Sequence, residues 1–280
     1  MKIGYSTWST KQTPVEDAIR ELGRIGFDCV EIDLTGGGTS SLDALDPARR
    51  RLIRRLLDAA GLELSGLVSA HRNQIGDDAE HDAGRDSYRR ELDLALEWAA
   101  GAKIPVMDVA IGGRADDWEQ LKGRIVEAVG ETVRVSADRG VTVALEPHCG
   151  QAVNTPDRML WVLEQVASPY CRVNFDISHF NVIGIPIEQS VGAMAPYTVH
   201  THVKDERGRY PAHEFLIPGE GEFDYARYLR AMQASGYTGD VTCEISVMVQ
   251  RRPNYDAVAA MEQTYRVLSA AFSDAGVARG

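Results

Sequence analysis

Eight short β-rich runs alternate with helical stretches along the whole chain, and this alternation constrains the fold more than any other feature. The runs are KIGYSTWS (2–9), CVEIDLTG (29–36), LELSGLVSAH (62–71), VMDVAIGG (106–113), VTVALEPH (141–148), CRVNFDISHF (171–180), TVHTHVKD (198–205) and DVTCEIS (240–246). The stretches between them include TPVEDAIRELGRIG (13–26), LDPARRRLIRRLLDAAG (45–61) and TPDRMLWVLEQVAS (155–168), and NYDAVAAMEQTYRVLSAAF (254–272) follows the last run. Thr or Asp stands in capping position and Gly often closes the helix. Eight βα units over 280 residues predict an α/β chain closed into a single (β/α)8 TIM barrel, with a doubly wound open sheet as the alternative. No linker or composition break divides residues 1–280, so one domain is expected.

Charge and cysteine content narrow the function. The formal net charge is −11, which leaves no basic stripe for nucleic acid. The four cysteines, Cys29, Cys149, Cys171 and Cys243, form no CxxC pair, which argues against a disulfide framework or a structural zinc site. The N-terminus runs directly into a strand pattern, and no stretch is apolar for long enough to span a bilayer. A cytoplasmic protein that binds neither nucleic acid nor membrane is expected.

Polar residues collect at the strand ends, and most densely after strands five to eight: EPHCG, DISHFN, HVKDE and EIS. In a barrel these ends build the C-terminal mouth, where active sites lie. Glu146, Asp176, His202 and Glu244 stand near the ends of four consecutive strands, so closure would bring them together. Three carboxylates and one imidazole make a hard, oxygen-rich set suited to one divalent ion, Mn²⁺, Co²⁺ or Mg²⁺ before Zn²⁺. Such an ion would also explain why a carboxylate ends the apolar run VTVAL, since an unpaired buried charge is costly.

Other polar residues could complete the site. Alternation along a strand puts His148 on the side of Glu146, and His200 on the side of His202. His148 is either a general acid/base or a hydrogen-bonding orienter, whereas His200 lies deeper and reads as a core histidine. His179, three residues past Asp176, is placed in a loop and could contact a substrate hydroxyl. Lys204 and Arg207, on the loop after strand seven, are either surface charges or groups that fold over an oxyanion. His71 ends strand three and Trp8 ends strand one. The first is a substrate contact or a capped loop residue, the second a sugar-facing wall or plain packing. FLIPGEGEFD (215–224) reads as a shaped turn too acidic for phosphate, and TGGGTSS (35–41) as either ligand-facing amides or a loop.

At EPH (146–148), NFDISHF (174–180), HVKD (202–205) followed by PGEGEFD (218–224), and CEIS (243–246), the chain resembles the xylose-isomerase-like TIM-barrel superfamily. That superfamily includes tagatose/psicose 3-epimerases, hydroxypyruvate isomerase and inosose dehydratase. The resemblance implies that Glu146, Asp176, His202 and Glu244 are metal ligands, that Glu146 and Glu244 also act as the acid/base pair, and that His179 touches a substrate hydroxyl. It implies a small sugar or polyol substrate and a homo-oligomer. CGQAVN (149–154) and ERGRYPAHEF (206–215) depart from the tagatose-type pattern. EPH also resembles the large subunit of C-glycoside-deglycosylating enzymes, where the histidine is the base of an elimination and a small partner subunit is present. The expected activity is therefore a metal-dependent sugar isomerase or epimerase, with a lyase acting on an oxo-sugar or inosose as the alternative.

Overall fold

The computed structural model describes residues 1–35, 39–71, 75, 78–99 and 101–280, with the backbone alone for 78–83. The strands are β1 (Lys2–Ser6), β2 (Cys29–Asp33), β3 (Glu63–Val68), β4 (Val106–Ala110), β5 (Val143–Glu146), β6 (Cys171–Asp176), β7 (Thr198–Val203), β8 (Asp205–Arg207), β9 (Glu214–Leu216) and β10 (Asp240–Cys243). Eight of them close a parallel barrel in the order β1-β10-β7-β6-β5-β4-β3-β2. The expected (β/α)8 architecture is therefore the one found, and each of the eight β-rich runs contributes its barrel strand.

The strands are buried on both faces, but the two faces differ. Outward side chains meet the helical layer: Tyr5 packs on Phe27 and Phe27 on Tyr265, while Phe175 packs on Tyr228. Val15, Ala18, Ile19 and Leu22 of the helix Val15–Ile25 complete this layer. Each fully buried Ile or Leu contributes roughly 1.5–3 kcal/mol. Inward positions on β2, β6, β7 and β10 carry Glu31, Asn174, His200, His202 and Thr242, all fully buried. The interior on these four strands is thus polar, and most of the apolar character of their sequence runs belongs to the outer face.

The capping logic holds at several helix ends. Asp46 accepts from the Arg49 N–H and Thr155 from the Arg158 N–H, while Gly26 and Gly61 close their helices with positive φ.

Two stretches fold differently from the sequence expectation. CRVNFDISHF leaves the sheet at Asp176, because Asp176 Oδ1 accepts from the Ser178 N–H and Oγ and starts the helix Ile177–Val182. His179 therefore sits on a helix rather than in a loop. After β7 the chain forms an antiparallel ribbon, β8 with β9, which places Phe215 and Leu216 in a strand. The turn that follows is folded onto Asp205, whose carboxylate accepts from the Gly219 and Phe223 N–H groups at 2.7 and 3.0 Å. A side chain at Gly221 would collide with that carboxylate. In the TGGGTSS run, residues 36–38 lie outside the described residues. Among the described residues, no helix is long and apolar enough to cross a membrane.

Candidate metal centre at the barrel mouth

Glu146, Asp176, His202 and Glu244 converge as the sequence predicts. One ligand atom from each lies within 4.8 Å of the other three, and all four residues are buried. Glu146 ends β5, Asp176 ends β6, His202 is the fifth residue of β7, and Glu244 follows β10. Parallel register aligns them, with Asp176 paired to His202 and His202 to Thr242.

Each carboxylate divides its oxygens between the cluster and a second partner. Glu146 Oε1 lies 2.9 Å from His202 Nδ1, and Oε2 lies 2.5 Å from His148 Nε2. Asp176 spends Oδ1 on the helix cap and turns Oδ2 toward Lys204. Glu244 Oε2 accepts from Lys204 Nζ at 2.9 Å, and its Oε1 stands 4.0 Å from His202 Nδ1. Burial alone would raise the carboxyl pKa values. The charges of His148 and His202 nevertheless hold Glu146 well below the usual range, and the Lys204 ammonium lowers Asp176. Lys204 is in turn raised, its desolvation outweighed by Asp176 and Glu244.

The donor set fits a divalent ion. With His202 neutral, as a ligand must be, three carboxylates against one ammonium leave two negative charges in a buried space, which a 2+ ion would balance. Oxygen donors joined by a single imidazole suit a hard or borderline cation. Glu146, Asp176, His202 and Glu244 would hold it.

His148 is half-buried at the rim and His179 is buried. Their rings stack at 4.4 Å with an interplanar angle of 16°. Gln151 Nε2 lies 3.3 Å from His148 Nδ1, and Cys149 Sγ lies 3.4 Å from His179 Nδ1. Burial pushes His179 well below the ordinary imidazole value, so it stands neutral, with Nε2 3.5 Å from Asp176 Oδ2.

Other expected contacts are placed elsewhere or in another role. Lys204 follows β7, as expected, but it is no surface charge: it is buried within the cluster, because alternation from His202 carries it to the same inward face. Arg207 lies exposed on β8 and donates to the Glu220 carbonyl at 2.7 Å. His71 is buried against Tyr88, with Nε2 3.4 Å from Thr132 Oγ1, so its ring turns toward two helices of the outer layer instead of the mouth. Trp8 belongs to the 3₁₀ turn Thr7–Thr10 rather than to β1. Its ring lies beneath the Lys11 ammonium and its carbonyl accepts from Gln250.

Glu31 is the residue the sequence reading passed over. It is fully buried on β2, with Oε2 2.9 Å from His202 Nε2 and Oε1 3.1 Å from His200 Nε2. The available signal was a carboxylate between Val30 and Ile32 in a strand with both faces covered. His200 is the core histidine expected. Its burial is outweighed by Asp240 and Glu31, which raise it to about 10.

Fold and site together define the class: a (β/α)8 barrel with a buried acid–imidazole cluster at the end where such barrels carry their active sites. The family model described as xylose isomerase-like TIM barrel matches residues 19–268. The chain belongs to that family, as its motifs imply. It is 25% identical over 276 residues to fructoselysine 3-epimerase of Escherichia coli O157:H7, covering 94% of this chain and 97% of that one. Among solved structures it superposes on IolI protein with a bound zinc atom at a TM-score of 0.81, with 18% identity and 98% of each chain covered. It also superposes on D-psicose 3-epimerase in the presence of D-fructose at 0.77, with 19% identity, covering 99% of this chain and 100% of that one.

Proposed function

We propose that this protein is a divalent-metal-dependent sugar epimerase or isomerase that moves a proton at a carbon next to a carbonyl. The observation that carries the reading is the convergence of Glu146, Asp176, His202 and Glu244 within 4.8 Å of one another. The likeness to a fructoselysine 3-epimerase over nearly the whole of both chains supports a keto-sugar substrate.

A divalent ion held by the four residues would polarise the carbonyl and the neighbouring hydroxyl and so acidify the carbon-bound proton. Glu146 and Glu244 come from β5 and from the end of β10, on separate walls of the mouth. One carboxylate takes the proton from one face of the carbon, and the other returns a proton to the opposite face, which inverts it. Lys204, between Asp176 and Glu244, places a fixed positive charge where negative charge develops on substrate oxygen. His179, neutral and buried, offers a ring nitrogen to a substrate hydroxyl. His148 orients Glu146 through their 2.5 Å contact.

That same contact favours one second reading. His148 is partly open to the mouth, and as a base in its own right it would direct the common chemistry toward elimination from an oxo-sugar or inosose.

The test is metal-stripped protein assayed against ketoses, fructosamines and 3-oxo-glycosides, with Mn²⁺, Co²⁺, Mg²⁺ or Zn²⁺ added back. Activity that depends on the added ion and yields an epimer is expected. Full activity in stripped protein would refute the assignment.

A further inference from the structure

We propose that Glu31, backed by His200 and Asp240, is the positioning unit of His202, so that side chains near the closed end of the barrel set a ligand at its mouth. The inference rests on the divalent-ion reading above.

Both ring nitrogens of His202 are engaged, Nδ1 by Glu146 Oε1 and Nε2 by Glu31 Oε2, each at 2.9 Å. Glu31 does not come from a neighbouring strand: β1 and β10 stand between β2 and β7. Its carboxylate crosses the barrel interior to reach the ring. The path is kept open by Gly66 on β3, where a Cβ would come within 3.2 Å of Glu31 Oε1 and 3.5 Å of His200 Nε2.

Behind Glu31 the column continues. His200 Nε2 stands 3.1 Å from Glu31 Oε1, and His200 Nδ1 stands 2.8 Å from Asp240 Oδ2. These are close charge contacts, not aligned hydrogen bonds. Asp240 opens β10 and accepts from Thr242 Oγ1 at 2.7 Å. The line Asp240–His200–Glu31–His202–Glu146 thus alternates carboxylate and imidazole from the strand starts to the mouth.

The geometry gives Glu31 a specific task. A carboxylate can only accept from Nε2, so it fixes the ring's rotation and commits Nδ1 to face Glu146, Asp176 and Glu244. Outer partners of this kind commonly set the affinity of a metal-binding histidine. Because His200 occupies Oε1, Oε2 is the oxygen left for His202. Asp240 holds His200 in that place.

Mn²⁺ alone, titrated calorimetrically into the full chain, tests the idea with melting temperatures recorded in parallel. Glu31→Gln should weaken Mn²⁺ binding by ~10–100-fold, and Asp240→Asn should weaken it in the same direction by less. A Glu31→Gln protein that binds Mn²⁺ as the wild type does would overturn the proposal, however far its melting temperature falls, because Glu31 would then only fill the barrel. If Glu31→Gln does not fold, Asp240→Asn decides, with unchanged affinity counting against the proposal. Failure of the wild type to bind any divalent ion would be a different result: it would remove the metal reading itself, and this inference with it.

Discussion

The Lys204 ammonium lies 2.9 Å from Glu244 Oε2 while also bonding Asp176 Oδ2, so one buried cation is shared by two of the four candidate ligands. A divalent ion drawn to the same carboxylates would meet a positive charge in the next layer. Lys204→Met should therefore bind Mn²⁺ more tightly, on the order of 10-fold, since one repulsion is removed. It should also turn over more slowly, by ~10² or more, because the charge opposite the substrate oxygen is gone. Calorimetry and steady-state kinetics on one preparation check both. Weaker Mn²⁺ binding would mean that the lysine supports the ligands and does not compete.

Glu244 follows β10 with its side chain nearly covered. Glu244→Gln keeps the shape but removes the charge and the basicity. Turnover should fall by ~10²–10⁴ while circular dichroism and the melting curve stay close to wild type. Near-normal turnover would exclude Glu244 from both metal binding and proton transfer.

Glu91 gives a stability prediction outside the site. It is fully buried on the helix Asp78–Ala99 and accepts from Ser69 Oγ and the Ala70 N–H. Burial, with help from the Asp33 charge, outweighs those bonds and raises its pKa to about 7. The unfolded chain releases this proton first as pH rises, so the fold loses stability from about pH 4.5 toward pH 7 and levels off above. The loss has an upper bound of roughly 3 kcal/mol. Glu91→Gln should lack this slope and melt higher than wild type at pH 8, though not at pH 4. Urea melts at the two pH values give the comparison, and parallel profiles for the two proteins would refute it.

The barrel was legible because strand and helix alternate eight times and the caps sit where helices begin. The four clustered residues were legible for a related reason: strand ends of a parallel barrel share one rim, so position in the repeat stands in for position in space. Lys204 follows β7 as expected, but its burial was not legible: the two-residue period that turns His202 inward continues for one more step past the strand. Glu31 was missed because its partners, His200 and His202, are 169 and 171 positions away in sequence, and only closure of the barrel brings β2 opposite β7. His71 and Trp8 stayed open for a different reason. Standing at a strand end says nothing about which way a side chain turns, and outer-layer packing decided it for His71.

The 2.5 Å contact between His148 Nε2 and Glu146 Oε2 separates the two reaction outcomes. In an epimerase that uses its glutamates, His148 only orients Glu146, and Gln151 at 3.3 Å steadies the far side of the ring. His148→Ala should then reduce kcat by ~10-fold, the usual cost of losing an outer partner. In a lyase with His148 as base, the proton acceptor itself is lost and the cost should be ~10²–10⁴. Reaction in deuterium oxide gives an independent readout. Deuterium at the inverted or neighbouring carbon of recovered sugar marks proton return, whereas a dehydrated sugar or a released aglycone marks elimination. The expected result is a modest His148→Ala defect with deuterium in the epimer. A large defect accompanied by elimination products would replace the epimerase reading with the lyase one.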